Sequence, residues 1–277
     1  MSCFDIDINP CNPGHFYTCG GFLELADRMW SGCLGEFRSG GRVFRVTVPG
    51  NEPDPFNTIL KTVADTDPLV GLAPDADDYI VKENAEGKER GDTRYQAAPL
   101  VFLPKTLKIR LDWWTNLKWW KPTDNKRCLS LWSGQQTLWA PRKEKTIPSL
   151  QRELRKIMVE PLGPSVLNIT RPISSRVGVD PTSSVTALHV GFSPNEHHID
   201  VHSSPVTELF GLVGFQGFRP ARTREGGVSI FTYTLWDQAL PVPIARAAAG
   251  GAFPGKRFSF GLTERGEYKS FGFATPV

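Results

Sequence analysis

Across 277 residues the chain is 40% hydrophobic and 22% charged, with a formal net charge of +3. That is enough apolar material for a buried core, which excludes a wholly disordered chain. A charge so near zero does not mark a polyanion binder, so any such role must rest on how the charges are distributed. Cys3, Cys11, Cys19, Cys33 and Cys128 are odd in number, form no C-x-x-C pair and follow a start that carries Asp5 and Asp7 instead of a secretion signal. Their expected state is buried free thiols in a reducing cytoplasm, and the eight-residue steps from Cys3 to Cys19 do not match the short loops of a zinc site. No apolar run approaches the roughly 20 residues needed to span a bilayer, so no membrane partner is expected.

In chain order, Asn12-Pro13-Gly14 predicts a helix start, with Asn12 as cap and Pro13 in the first turn. Phe16, Cys19, Leu23, Ala26 and Trp30 then draw one apolar stripe, with Glu24, Asp27 and Arg28 off it. Gly20-Gly21 inside that helix costs about 1 kcal/mol per residue relative to alanine, which points to a closely packed neighbour. Arg42 to Val48 reads as a strand with Phe44, Val46 and Val48 on one face.

From Asn51 to Asp92 acids outnumber bases eleven to four, and an exposed acidic insertion is expected at about 51–95. From Lys105 to Lys156 the balance reverses to thirteen bases against four acids. Leu107, Ile109 and Leu111 alternate there as a strand, and Pro148 opens a helix with Leu150, Leu154, Ile157 and Met158 inward and Arg152, Arg155 and Lys156 outward. Ser204-Pro205 opens another, with Val206, Leu209, Phe210 and Val213 inward. Strands are expected over Val228 to Trp236, Arg257 to Leu262 and Tyr268 to Phe273, with a helix over Ile244 to Ala249 ended by Gly250-Gly251. The expected whole is a single α+β unit over 1–277, with antiparallel sheets and a few packed helices.

Candidate chemistry lies in two basic stretches. In the first, Trp113, Trp114, Trp119 and Trp120 interleave with Lys118 and Lys121, followed by Lys126, Arg127, Arg142 and Lys143, and by Arg152 and Arg155 on the predicted helix. Cations neutralise phosphates, and an exposed indole stacks a base; the alternative is that the indoles anchor the core with lysines around them. The second is Arg219-Pro220-Ala221-Arg222-Thr223-Arg224, read as a cationic turn whose arginine forks suit phosphate, with Lys269 on a nearby strand. His198, Asp200 and His202 alternate and offer a metal-dependent nuclease as the competing reading. H-E-x-x-H, Walker, dinucleotide-binding and nucleophile-elbow motifs are all missing, and Gly211 to Gly217 reads as close helix packing. The expectation is therefore no catalytic residue, no metal and no cofactor.

Four ordered blocks resemble the small type I-U (I-G) CRISPR-associated proteins, a large-subunit-like component of the Cascade effector complex. They are Asn12-Pro13-Gly14-His15-Phe16-Tyr17-Thr18-Cys19-Gly20-Gly21-Phe22-Leu23-Glu24-Leu25-Ala26, then Leu111-Asp112-Trp113-Trp114 with Leu131-Trp132-Ser133-Gly134-Gln135-Gln136, then Gly191-Phe192-Ser193-Pro194, and Glu208-Leu209-Phe210-Gly211-Leu212-Val213-Gly214-Phe215-Gln216-Gly217-Phe218-Arg219-Pro220. Gly217 departs from that pattern, which carries an arginine there, and Gly20-Gly21 stand where it carries a second cysteine or alanine. The resemblance implies a non-catalytic subunit that holds guide RNA or target DNA beside other subunits of the effector complex and leaves cleavage to a recruited helicase-nuclease. It implies the motif-reading position; a backbone subunit coating guide RNA is the alternative within the same machinery. A scaffold that binds only protein through its tryptophan-rich surface is a further reading.

Overall fold

The computed structural model describes residues 1–66, 100–102, 107, 109–111, 147–173, 177–183, 202–265 and 268–277, and these form an α+β fold whose strand pairings are all antiparallel. β1 (Ser2–Asp7) leads into α1 (Pro13–Trp30), where Asn12 accepts from the His15 amide at 3.3 Å and Pro13 occupies the first turn. β2 (Leu34–Arg38) and β3 (Val43–Val48) make a hairpin, and β1 pairs with β3. A late strand, β10 (Leu240–Pro241), joins β2 to complete the order β1-β3-β2-β10. β1 and β2 therefore run parallel on either side of β3, with α1 as the crossover between them.

The C-terminal part repeats the helix-then-hairpin plan. α4 (Pro205–Gly217), capped by Ser204, is followed by β8 (Ala221–Glu225) and β9 (Val228–Leu235), and β11 (Lys256–Phe260) and β14 (Thr275–Pro276) extend the sheet in the order β14-β11-β9-β8. Shorter pairs are β4 (Leu100–Phe102) with β5 (Ile109–Leu111), β6 (Arg171–Pro172) with β7 (His202–Ser203), and β12 (Leu262–Arg265) with β13 (Tyr268–Phe271). α2 (Pro55–Asp65), α3 (Ile147–Ile157) and α5 (Val242–Ala249) complete the described helices. None of the described helices is long and apolar enough to cross a membrane.

Both sheets share one core, because α1 touches each. The Phe16 ring lies 5.8 Å from Phe37 of the first sheet and 4.4 Å from Tyr233 of the second, stacked on both. α1 and α4 run parallel at a separation that only glycine permits. A Cβ on Gly21 would stand 2.1 Å from the Phe210 carbonyl oxygen, and one on Gly14 would meet Thr207 at 2.8 Å. Thr18 at this seam donates its hydroxyl to the carbonyls of Gly14 (2.8 Å) and Thr207 (3.2 Å), so backbone oxygens of both helices are tied through it.

The two helix starts converge on a buried polar cluster. Asp180 accepts from Asn12 Nδ2 (3.1 Å), from the Thr182 and Ser204 amides (3.1 and 3.3 Å), and from Ser203 Oγ (3.4 Å). Glu208, fully buried, accepts from the amides of Val177, Gly178, Val179 and Asp180 at 2.8 to 3.4 Å. Two parallel helices present two positive dipole ends here, and the carboxylates answer that field while satisfying otherwise orphaned donors. His15 sits beside them and accepts from the Asn9 amide through Nδ1 (3.1 Å). Burial holds its pKa down at about 4, against the opposing pull of Asp180.

Several expectations need correction. α1 is buried all round from Pro13 to Ala26 instead of along one stripe, because α4, α5 and the sheet enclose it; Glu24 is buried with the rest and is held by Arg28 (2.8 Å) and Arg246. The acidic insertion expected from about residue 51 begins instead with α2, capped by Asp54, whose Phe56, Ile59, Leu60 and Val63 are buried. Its charges lie on the outer face of an amphipathic helix, which composition alone reads as loop. Residues 67–99 lie outside the described residues. Cys19 and Cys33 are buried free thiols as expected, but Cys3 is exposed and Cys11 half-buried, and Cys128 lies outside the described residues.

Candidate nucleic-acid interface

The second basic stretch is a strand, not the expected turn. α4 ends at Gly217, Arg219 follows it exposed, and Ala221–Glu225 form β8, all five residues exposed at the edge of their sheet. Gly226-Gly227, with φ of 55° and 85°, make the two-residue turn into β9, the conformation that matches the twist of a tight hairpin.

Register then decides which way each arginine faces. Arg222 pairs with Phe231 and Arg224 with Ser229, so both guanidiniums lie on the face that carries Phe231. Arg222 is braced: its carbon Cζ lies 5.8 Å from the Phe231 ring centroid, and Nε and Nη2 donate to Ser229 Oγ at 3.2 and 2.8 Å. Because Glu225 and Val228 flank a two-residue turn, Ala221, Thr223 and Glu225 exchange the ladder hydrogen bonds with β9. The peptide groups of Arg222 and Arg224 turn away from it, adding two outward N–H donors to the two side-chain forks.

Lys256 pairs with Leu235 and shares the arginine face, whereas Arg257 pairs with Thr234 and lies on the opposite one. Between Ser229 and Leu235 the strand runs about 20 Å, so Lys256 sits far along β9 from Arg224. Lys269 lies on β13, at the register position opposite Glu264.

A second cationic cluster forms on α3. Its apolar side packs on α4 and α2, and Gln151 locks it there by donating to the carbonyls of Val63 (2.8 Å) and Thr66 (2.6 Å). Arg152, Arg155 and Lys156 face out as expected. Around the mostly buried Glu153 carboxylate stand Lys156 Nζ at 2.7 Å, Arg152 Nε at 3.8 Å and Arg171 Nε of β6 at 3.8 Å. Three cations on one carboxylate leave a surplus of positive charge, and Arg171 Nε is buried with no hydrogen-bond partner among the described residues. Lys156 and Arg171 were not singled out from sequence as ligand groups. Arg171 lies outside both basic stretches, and only the fold brings it to Glu153.

The expected contacts at Lys118, Lys121, Lys126, Arg127, Arg142 and Lys143 lie outside the described residues, as do His198 and Asp200. His202 is exposed on β7, opposite Pro172, and no three metal-ligating side chains meet among the described residues.

Two of the four sequence blocks are the helices of the glycine-packed pair, α1 and α4. At Gly217 the space that a side chain would fill is taken by Arg246, whose Nε would lie 2.5 Å from a Cβ there; a guanidinium occupies the position from α5 instead. At Gly20 a Cβ would meet the Phe218 ring at 2.6 Å, so this departure matches an aromatic packed on the helix backbone. No family model, no curated protein and no solved structure matches the chain.

Proposed function

We propose that the protein is a non-catalytic, nucleic-acid-binding subunit of a type I CRISPR RNA-guided complex, in the large-subunit position. The observation that carries the binding half of this reading is the β8 edge. Arg222 and Arg224 share one face, Arg222 is held in place by Phe231 and Ser229, and two backbone amides point outward beside them. Two guanidiniums on one face, one of them braced with its Nη1 left to donate, and adjacent N–H donors suit the oxygens of a sugar-phosphate strand. The cation cluster around Glu153 is a second phosphate contact. The subunit half rests on the four sequence blocks.

Guide RNA and target DNA are the partners, with cleavage left to a separate helicase-nuclease. The test is a salt titration of strand binding by the assembled complex and by the isolated chain. Arg222→Glu with Arg224→Glu weakens binding and lowers the slope of log K against log salt by about 1.8 for duplex DNA, two phosphate contacts being lost. An unchanged slope removes the β8 edge from the interface. Native mass spectrometry of the particle, counting one copy of the chain, supports the large-subunit position over a guide-coating one.

A further inference from the structure

A cleft of about 780 Å³ opens where the β2–β3 turn meets the Trp236 to Leu240 segment and the loop entering β11. Phe37, Leu235 and Trp236 are buried at its back, and Phe253 stands at it 43% exposed. Charged groups of both signs stand at its rim. Arg38 and Lys256 border it against the single carboxylate of Asp237, and Lys256 Nζ reaches the Gly40 carbonyl at 3.3 Å. Arg38 is shared with Glu36 through its guanidinium, and Lys256 retains donors beyond the one that Gly40 takes.

The backbone around this cleft is specialised. Ser39, Gly40 and Gly41 have φ of 50°, 71° and 96°, and a serine in the left-handed region persists only where the surroundings impose it, a pattern that clusters at ligand sites. Gly41 and Gly255 keep both walls tight on β9, since a Cβ on either would stand 2.6 Å from Leu235 Cδ1 or 2.2 Å from the Leu235 carbonyl oxygen. Side chains there would push the turn and the loop off the strand and reshape the opening.

We infer that this cleft takes one unpaired nucleobase of a single strand, with the base on Phe253 and its flanking phosphate on Lys256 and Arg38. The inference rests on the nucleic-acid reading above but on a different surface, at the far end of β9 from Arg222 and Arg224. The volume falls within the roughly 300 to 1,000 Å³ of small-ligand pockets, ample for one nucleotide. An exposed ring supplies a stacking platform that tolerates any base, and the adjacent cations supply the phosphate contact, which is the chemistry of single-strand binding. A base in a duplex presents no free face to Phe253, so the site discriminates between strand states.

The test uses the full chain and a short thymidine-rich single strand carrying a photoreactive thiobase, with peptide mapping of the crosslinks. Crosslinks fall between residues 236 and 256, and Phe253→Ala with Lys256→Glu removes them. That variant also lowers single-strand affinity about tenfold while duplex affinity holds. Crosslinks confined to the 219–231 hairpin, with binding intact, overturn the cleft and leave the proposed function standing. An equal loss for single strand and duplex also overturns it, because a purely ionic contact is then sufficient. No binding of either nucleic acid overturns both readings.

Discussion

Gly214 of α4 lies so near Tyr17 of α1 that a Cβ built on it would stand 1.8 Å from the Tyr17 carbonyl oxygen. The relation is mirrored across the seam, where Gly21 faces the Phe210 carbonyl in the same way. Gly214→Ala must therefore drive two parallel helices apart through the middle of the core. The expected cost is about 3 kcal/mol or more, read from urea unfolding of the variant. Alanine's helix propensity would by itself add about 1 kcal/mol of stability, so a more stable variant contradicts the close approach.

Glu208 gathers four backbone amides in a site without exposure. Glu208→Ala strands those donors and uncovers the paired helix starts, with an expected loss of about 3 kcal/mol or more. Glu208→Gln, which keeps one carbonyl acceptor, lies between it and the parent. Equal stability of all three chains in chemical denaturation would refute the role given to this carboxylate.

His15 predicts an acid-side loss of stability. Its folded pKa is depressed to about 4 while the unfolded chain titrates near 6.5, so the unfolded state binds the extra proton in between. The contribution is intact above about pH 6.5 and declines as pH falls toward 4, by up to about 3 kcal/mol. His15→Gln, whose amide oxygen can still accept from Asn9, flattens that part of the Tm profile. A wild-type Tm that stays level from pH 7 to pH 4 rules it out.

Thiol reactivity separates the cysteines. Cys19 is fully buried, and burial, aided by Asp27, pushes the Cys33 thiol up to about 12, so neither supplies thiolate near neutrality. Cys3 is exposed. Ellman's reagent at pH 8 reacts with Cys3 in the native chain, and Cys19 and Cys33 react only after denaturant. Alkylation followed by peptide mapping assigns the sites.

Local signals were legible and distant ones were not. Asn12-Pro13, Ser204-Pro205 and the β-branched run from Val228 announce their elements because cap, proline geometry and alternation act within a few residues. α2 was hidden because its acidic surroundings dominate composition while its apolar residues recur at helical spacing within only 11 residues. The Arg219 to Arg224 run was recognised as cationic but not as a sheet edge, since pairing partners and edge position are set by the whole sheet. Asp180, His15 and Arg171 gave no signal at all. Asp180 acquires its role from Asn12, far back along the chain, and Arg171 from Glu153 on a different element.

The strand pairing of Leu240–Pro241 with Leu34 and Gly35 has a bearing on synthesis. A chain emerging from the ribosome carries α1 long before α4 exists, and β2, paired on one side with β3, lacks its other neighbour until residue 241 has been made. Until α4 and β9 are made, the Gly14 to Gly21 seam and the faces of Phe16 and Tyr17 that meet Tyr233 and Phe215 are without their native cover. The N-terminal third therefore completes its native contacts only after α4, β9 and β10 have been made.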